Sequence, residues 1–262
     1  MKVEEFLTIV YVALTAAVLS TLLVPFLREL STHGKTREKE PSSAAFWRPV
    51  ARLTVPKRYF LHFYVLGLLS TLTTALLYGQ DANNSVLLLR PTGAMLLVHL
   101  TRRMGECLFV HAWRSDSRMH AAGYLLGILH YALVSLTFIA VGEVQPPPSL
   151  GWKVAGVVVC LYGQAEQFVH HRILAGLRSR DGKTTYALPN GRWFVNISCP
   201  HYLAEITIYV GFLMLLQTTV ATAMFVWVAT NLTISALSSH QWYDQHFPDS
   251  NRSRRAIIPF LL

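Results

Sequence analysis

Long apolar runs separated by short polar segments dominate the chain. Residues 6–27 contain no charged side chain. Because about 20 mostly apolar residues in a helix span the hydrocarbon core of a bilayer, this run is long enough to cross a membrane. Further runs follow at residues 60–79, 86–101, 119–141, 151–170, 202–216 and 219–237. The pattern predicts an all-α integral membrane protein with about seven transmembrane helices.

The polar segments divide the chain into a first helix and a larger helical core. The run at residues 6–27 is longer than the apolar core of a cleavable signal peptide, and no small-residue cleavage site follows it, so we predict a retained helix. Residues 28–58 are polar and predict a cytosolic loop. Residues 59–262 would form a six-helix core, with residues 178–198 as a cytosolic cap marked by Asp-Gly and Asn-Gly turn signals. We expect one membrane domain over residues 1–262.

The distribution of positive charge predicts the orientation in the membrane. With the N-terminus in the lumen and seven crossings, every Lys and Arg except Lys2, Arg90 and Lys153 lies on the cytosolic side, as does the C-terminus. Such an excess in cytosolic segments is the usual rule. The net charge of +9 therefore reflects topology and lipid headgroups, and nucleic acid is not an expected partner. The glycan acceptor sequence at Asn251 would be cytosolic and stay unmodified.

The cysteines and histidines do not predict a metal site. Cys107, Cys160 and Cys199 have no CxxC spacing and fall at or within membrane segments, which argues against zinc or a disulfide framework. A di-iron oxidase would need several HxxH or HxxxH sets, and His170-His171 has no such partner within its helix. We expect no metal.

A proline-led segment near residue 200 carries the strongest candidate chemistry. Pro200 suits the first turn of a helix, where its missing N–H has no partner in any case. From there His201, Glu205 and Tyr209 follow at spacings of four and share one helix face. A carboxylate at the edge of a membrane helix is costly unless it is paired or functional. Glu205 is therefore either a functional group or an acceptor for hydrogen bonds from neighbouring helices.

Other polar residues gather at the cytosolic ends of the predicted helices. Arg102-Arg103 followed by Glu106 would form either an interfacial salt-bridge set or an anion site, because guanidinium groups bind phosphate bidentately. The remaining candidates are His170, His171, Arg178, Tyr186, His240, Tyr243, Arg254 and Arg255. No GxGxxG, P-loop or HExxH motif is present. The pattern favours a cofactor held between helices and open to the cytosol, with the substrate in the apolar interior.

Several of these segments together resemble one enzyme family. The supporting elements are PHYLAE at residues 200–205, SHQWY at 239–243, RRAIIPFL at 254–261, VPKRYF with HFY at 55–64, Arg102-Arg103 with Glu106, and Gly127 with His130-Tyr131. In their order and spacing, from about residue 55 to the end, the chain is similar to the steroid 5-alpha-reductase family, and within it to the polyprenol reductase branch.

The resemblance implies a multi-pass enzyme of the endoplasmic reticulum membrane. It would use NADPH to reduce the C=C bond in the α-isoprene unit of a long-chain polyprenoid, for dolichol synthesis and protein glycosylation. The cofactor contacts that it implies are Arg103, Glu106, His171, Arg178, Tyr186, His201, Glu205, Tyr243, Arg254 and Arg255. His171 and His201 stand where the steroid enzymes usually carry an aspartate and an asparagine.

The chemistry of hydride addition limits the chemical classes that can be the substrate. A C=C bond accepts hydride when the developing negative charge can move to an oxygen that a hydrogen-bond donor stabilises. An α,β-unsaturated aldehyde offers such an oxygen and an allylic alcohol does not. We therefore expect the aldehyde, polyprenal, as the species reduced, with a partner dehydrogenase supplying it from polyprenol. Tyr64 or His62 is the expected donor to the oxygen. His240 and Tyr243 would position the cofactor, supply a proton, or simply cap the last helix.

Two other functions remain open at the level of sequence. One is a 3-oxo-steroid 5-alpha-reductase, which shares the same family features. The other is a membrane methyltransferase dependent on S-adenosylmethionine, since such enzymes also place a proline–histidine element and glutamates at cytosolic helix ends. Thermal stabilisation by NADPH or by S-adenosylmethionine distinguishes the two cofactors.

Overall fold

The computed structural model describes residues 1–31, 36, 46, 48–78, 90–113, 116–141, 144–179, 187–251 and 253–259. These residues are almost entirely helical. The helices are α1 Val3–Leu23, α2 Pro25–Ser31, α3 Arg48–Ala51, α4 Phe60–Tyr78, α5 Pro91–Phe109, α6 Ala121–Leu136, α7 Leu150–Ser179, α8 Pro200–Leu216, α9 Thr219–His246 and α10 Pro248–Asn251. Two short strands, β1 Thr54–Pro56 and β2 Arg118–His120, pair antiparallel with Val55 opposite Met119.

Four of the described helical segments are long and apolar enough to cross a membrane. They are Val3–Leu23, Lys57–Leu77, Ala121–Val141 and Thr219–His246, and the apolar helix α8 is shorter. Helices α5 and α7 overlap the predicted spans at 86–101 and 151–170 but carry several charged residues. The all-α membrane class is confirmed.

The first helix ends earlier than predicted, several others continue past their predicted spans, and the neighbouring residues explain the first difference. Helix α1 ends at Leu23 rather than residue 27, because Pro25 disfavours helical backbone at Val24, which is extended at φ −112° and ψ 107°. Helix α5 continues to Phe109, α7 to Ser179 and α9 to His246, beyond the predicted ends at 101, 170 and 237. The apolar run marks the part of a helix in the membrane, and the helix itself continues past it. The segment 28–58 also contains short elements and is not wholly a loop.

Glycines bring α7 and α8 into close contact. A Cβ atom at Gly163 would lie 2.9 Å from the carbonyl oxygen of Ala204, and one at Gly211 would lie 2.5 Å from Cys160 Sγ. Real Cβ atoms do not approach backbone this closely, so a larger residue would separate the helices. Pro200 stands in the first turn of α8, as predicted, after Cys199. This packing sets the polar side of α7 against the start of α8.

The C-terminal tail is held against the segment that precedes α8. The backbone N–H of Ser198 donates to the Arg255 carbonyl at 2.8 Å, and that of Arg255 donates to the Asn196 carbonyl at 2.9 Å. Ile257 is fully buried. Asn251 is also fully buried, which leaves no room for a glycan in the folded protein. The tail thereby becomes part of the same end of the molecule as the start of α8.

Candidate functional site

A buried carboxylate on α5 lies at the centre of the candidate site. Glu106 is 1% exposed, and the guanidinium groups of Arg102 and Arg103 each donate to one of its oxygens. These arginines precede it by four and three residues, so all three lie on one helix face. His171 Nδ1 on α7 donates to Glu106 Oε2 at 2.7 Å. The carboxylate is thus matched by two cations and a third donor.

The charge of Glu106 is maintained by these neighbours. Burial by itself would raise the pKa of this carboxyl, which lies past the apolar part of α5. The hydrogen bond from His171 and the charges of Arg103 and Arg102 outweigh burial and hold the pKa well below its usual range. Glu106 is therefore ionised at neutral pH.

The two arginines join α5 to α4 and α7. Arg102 Nε donates to Gln164 Oε1 at 3.0 Å, and its Nη2 donates to Gln167 Oε1 at 2.5 Å. Arg103 Nη2 donates to the Tyr64 hydroxyl on α4 at 2.6 Å, with the guanidinium 4.9 Å from the centre of the Tyr64 ring. One cluster therefore fixes the relative positions of three helices.

Gln167 extends the cluster to the start of α8. Its Nε2 donates to Glu205 Oε2, and it lies 3.4 Å from the carbonyl oxygen of His201. On the other side of the carboxylate, His99 Nε2 lies 3.5 Å from Glu205 Oε1. Glu205 does accept a hydrogen bond from a neighbouring helix, as one of the two sequence interpretations expects. It also belongs to the same polar network as Glu106.

Some buried polar atoms of this network make no hydrogen bond to a described residue. They are Arg103 Nε, Gln164 Nε2 and both ring nitrogens of His99. Buried polar atoms are normally hydrogen-bonded, so unsatisfied atoms in one place indicate a ligand or water. Arg103 Nε and Gln164 Nε2 suit an anionic or carbonyl acceptor, and the site can therefore accept polar groups of a cofactor.

A second polar group connects the end of α9 with the tail. The Ser198 hydroxyl lies 2.8 Å from His240 Nδ1 and donates to Asn251 Oδ1 at 3.1 Å. Asn251 Nδ2 donates to Asp244 Oδ1 at 2.7 Å. Nearby, Arg254 Nη1 donates to the Pro189 carbonyl at 2.8 Å. Burial lowers the pKa of the Arg254 guanidinium.

The structure brings together many of the predicted site residues and leaves others apart. Tyr64, Arg103, Glu106, His171 and Glu205 belong to the first network, and the His201 ring lies 5.8 Å from the His171 ring. Tyr243 is buried beside Trp242, Arg255 is exposed, and His240 belongs to the second group. The side chain of Arg178 and all of Tyr186 lie outside the described residues.

The side chain of His62 has different neighbours from that of Tyr64, although the two residues are only two positions apart. It is exposed, its Nδ1 lies 2.9 Å from the Tyr124 hydroxyl, and its ring stacks on Tyr59 at 4.6 Å. Two residues along a helix turn the side chain by about 200°, so the two side chains face different neighbours. Of the two predicted oxygen donors, Tyr64 is the one that contacts Arg103.

The sequence interpretation overlooked Gln164, Gln167 and His99 as members of the site. A signal was present on α7, since Gln164, Gln167 and His171 follow at spacings of three and four and so share one face of the helix. His111 was also missed, and its ring lies 5.0 Å from the His171 ring.

Three side chains of the site lie close enough together to bind a metal ion. The possible ligand atoms of Glu106, His111 and His171 all lie within 4.8 Å of one another. Two guanidinium groups already bind the Glu106 carboxylate, and their charge would repel a cation. The cluster is therefore better suited to an anionic or polar ligand than to a metal ion.

Comparison with known proteins identifies relatives across almost the whole chain. The family described as 3-oxo-5-alpha-steroid 4-dehydrogenase matches residues 122–262. The polyprenal reductase of Saccharomyces cerevisiae is 36% identical, covering 90% of this chain and 87% of the yeast protein. The polyprenal reductase of Homo sapiens is 32% identical, covering 96% of this chain and 94% of the human protein. Polyprenal reductase 1 of Oryza sativa subsp. indica is 30% identical, covering 92% and 89%.

These matches are consistent with the geometry of the site. The family match covers just over half of the chain and includes α6 to α9 and the tail. The relatives extend the similarity to α4 and α5, which contribute Tyr64 and Glu106. The chain belongs to the 3-oxo-5-alpha-steroid 4-dehydrogenase family, the steroid 5-alpha-reductases.

Proposed function

We propose that the protein is a polyprenal reductase, which reduces the C=C bond next to the aldehyde of a polyprenal on the way to dolichol. The family and the relatives from yeast, human and rice, each named polyprenal reductase, carry this conclusion. The apolar helices supply a membrane setting in which a long-chain lipid can reach the site. Protein glycosylation, which uses dolichol, is the process that this activity would serve.

NADPH is the proposed cofactor, and it would supply the hydride. The fit rests on the unsatisfied donors Arg103 Nε and Gln164 Nε2 beside the ionised Glu106. Arg254 and Arg255 add positive charge at the tail, which suits phosphate groups. The proposed cofactor contacts are Arg103, Glu106, His171, Arg178, Tyr186, His201, Glu205, Tyr243, Arg254 and Arg255.

The residues of the first network would then act by binding and orientation. Arg103 holds the Tyr64 hydroxyl as an acceptor at 2.6 Å, which leaves the hydroxyl hydrogen of Tyr64 available for the aldehyde oxygen. Glu106 and Gln167 keep the arginines in one geometry and so keep Tyr64 in place. A fixed donor of this kind stabilises negative charge without reorganising during the reaction.

The proposed topology has seven spans, a luminal N-terminus and a cytosolic C-terminus in the endoplasmic reticulum. The first network joins the start of α4, the end of α5, the later part of α7 and the start of α8. Helices that alternate in direction would have these four ends on one side of the membrane. The positive charge of the connecting segments supports the cytosolic side.

Turnover by the purified protein tests the proposal. Detergent-solubilised protein with NADPH should reduce polyprenal to a product that is heavier by two hydrogens and still carries the aldehyde. Polyprenol and a 3-oxo-Δ4 steroid, supplied to the same preparation, should cause little NADPH oxidation. Equal or faster turnover of polyprenol would contradict the aldehyde assignment, and faster turnover of the steroid would favour a steroid 5-alpha-reductase. A partner dehydrogenase is proposed to supply polyprenal in the cell.

The cofactor class is tested separately by ligand-dependent thermal stability. NADPH should raise the unfolding temperature of the solubilised protein, and S-adenosylmethionine should leave it unchanged. Stabilisation by S-adenosylmethionine alone would indicate a membrane methyltransferase instead.

A further inference from the structure

Three side chains form a separate hydrogen-bonded chain within the apolar part of the molecule. Trp227 Nε1 on α9 donates to His130 Nδ1 on α6 at 3.1 Å. The other ring nitrogen, His130 Nε2, lies 2.9 Å from the hydroxyl of Tyr209 on α8. The chain therefore passes from α9 through α6 to α8, and neither the Glu106 network nor the tail group includes it.

The chemistry of these groups determines the direction of both hydrogen bonds. An indole N–H can only donate, so His130 Nδ1 must be an acceptor without hydrogen. A neutral imidazole then carries its hydrogen on Nε2, which donates to the Tyr209 hydroxyl oxygen. Because this oxygen accepts from His130, the hydroxyl hydrogen of Tyr209 points elsewhere. Trp227 thus fixes the tautomer of His130, and His130 fixes the orientation of Tyr209.

The surroundings of Tyr209 include a histidine whose ring nitrogens make no hydrogen bond to a described residue. Tyr209 is 2% exposed and stands one helical turn beyond Glu205 on α8. Its ring lies 6.5 Å from the His99 ring, and neither nitrogen of His99 makes a hydrogen bond to a described residue. Among the described residues, the Tyr209 hydroxyl makes a hydrogen bond only with His130, and none of them accepts its hydrogen. A buried donor beside unsatisfied polar atoms indicates the polar end of a ligand at this position.

Tyr209 faces the same part of the molecule as Tyr64. The Tyr131 ring is 5.1 Å from the Tyr64 ring and 5.2 Å from the ring of its neighbour His130, which in turn contacts the Tyr209 hydroxyl. The hydroxyls of Tyr64 and Tyr209 are each occupied as acceptors, by Arg103 and by His130. Each can therefore direct its hydrogen towards a common acceptor, one from α4 and the other from α8.

We propose that Tyr209 is a second donor to the carbonyl oxygen of the substrate, and that His130 and Trp227 are positioning residues for it. This inference rests on the proposed function. As the β-carbon of the enal accepts hydride from the reduced nicotinamide, which is thereby oxidised, the C=C electron pair moves towards the carbonyl and its oxygen becomes negative. Tyr209 stabilises that oxygen by its O–H hydrogen bond, and a proton from water then adds to the α-carbon. The product is the saturated aldehyde.

Tyr209→Phe is the first variant of the test. Its kcat for polyprenal should fall about 100-fold, the usual effect of removing one donor to a developing oxyanion, while NADPH still raises its unfolding temperature as in the unaltered protein. Tyr162→Phe is the matched control, because Tyr162 lies on α7 and is 52% exposed, and it should retain full activity.

A second substrate distinguishes a donor role of Tyr209 in the reaction from a purely structural role. A nitroalkene with the same isoprenoid tail stabilises negative charge on its own nitro group and depends less on a protein donor. The fall in kcat caused by Tyr209→Phe should therefore be at most about 10-fold on the nitroalkene, compared with about 100-fold on polyprenal. An equal loss on both substrates would indicate a structural role and overturn the proposal.

Variants of the positioning residues provide an independent readout. His130→Gln keeps an N–H near the position of Nε2 and should retain more activity than His130→Asn, whose amide reaches only the position of Nδ1. Trp227→Phe should lower kcat about 10-fold and leave KM for NADPH unchanged, because an unfixed His130 tautomer presents a donor to Tyr209 only part of the time. If Tyr209→Phe fails to fold, these variants still decide the proposal.

The outcomes distinguish this inference from the proposed function. If the unaltered protein reduces no enal, the proposed function fails. If it reduces polyprenal while Tyr209→Phe keeps kcat within a few-fold, the function stands and the role of Tyr209 is overturned. Equal activities of His130→Gln and His130→Asn, both near the unaltered protein, would likewise exclude the positioning role.

Discussion

Glu106 shows how a single buried charge can be both costly and necessary. Its carboxylate is almost inaccessible, and three donors from two helices surround it. Removing one partner of a buried ion pair leaves the others without compensation, which is far more damaging than never having buried the pair. The residue therefore links the stability of α5 and α7 to the geometry of the site.

We expect Glu106→Gln to lower the free energy of unfolding by about 3 kcal/mol, because two buried guanidinium groups lose their counter-charge. The measurement is thermal or denaturant unfolding in detergent, together with KM for NADPH, which should rise. Asp249→Asn, at an exposed position in α10, is the control and should behave as the unaltered protein. Unchanged stability in Glu106→Gln would show that the arginines find other partners.

The pH dependence of stability gives a second check on Glu106. The pKa of this carboxyl is lowered in the folded protein, so its contribution is complete above the ordinary carboxyl pKa of about 4.3. The contribution disappears as the pH falls from there towards the lowered folded pKa. Below about pH 4, the stability of the unaltered protein should therefore decline more steeply than that of Glu106→Gln. Parallel curves for the two proteins would contradict this assignment.

Tyr64 and His62 are two candidate donors that the structure separates. Tyr64→Phe should lower kcat for polyprenal about 100-fold, because it removes the hydroxyl that Arg103 orients. His62→Gln should have a much smaller effect, since His62 is exposed and lies against Tyr59 and Tyr124. Steady-state kinetics of both variants tests the comparison. A larger loss in His62→Gln would return the donor role to the histidine.

At the scale of the element, the close packing of α7 on α8 determines whether Gln167 can reach Glu205. Gly163 allows this approach, because its missing side chain leaves space for the backbone of α8. The contact is what joins the Glu106 cluster to the start of α8. Packing between two helices thus controls the continuity of the polar network.

Gly163→Ala should therefore destabilise the protein by about 1–3 kcal/mol and raise KM for NADPH, because the added Cβ would lie 2.9 Å from the Ala204 carbonyl. Gly176 lies on the same helix, and no atom of a described residue would lie within 4 Å of its added Cβ, so Gly176→Ala should be neutral or slightly stabilising. Thermal unfolding of both variants measures the difference. Equal behaviour would show that α8 can shift without loss.

The helices could be predicted from the sequence more reliably than their ends or their contacts. Apolar runs located the helices because a membrane requires them, whereas α9 extends to His246 through polar residues that no hydropathy pattern marks. Arg103, Glu106 and Glu205 were predictable as charges at membrane edges that need partners. Gln167 shares the polar spacing of α7, but its contact with Glu205 could not be predicted, because that contact depends on the packing of α7 on α8. The Trp227–His130–Tyr209 chain joins residues from three helices, and no spacing in the sequence indicates it.

At the scale of the whole molecule, the polar networks and the tail lie at helix ends that we propose to be cytosolic. A glycan acceptor tag added before Met1 should be modified in the lumen, and the same tag added after Leu262 should not. Protease protection or a shift in gel mobility measures the two fusions. Modification of the C-terminal tag would reverse the topology, and modification of both tags would change the number of spans to an even one.

The contact between the tail and the segment before α8 also has a consequence for the order of synthesis. Arg255 and Ala256 follow the last membrane helix and form backbone hydrogen bonds with Asn196, Ser198 and Cys199, which precede α8. A ribosome synthesises α8 and α9 before it synthesises those tail residues. The backbone contacts at the end of the molecule that carries His201, Glu205 and Arg254 can therefore form only after residue 256 has left the ribosome. A premature stop at Ser253 would therefore give a protein that has every membrane helix but lacks the tail residues that hydrogen-bond to the segment before α8.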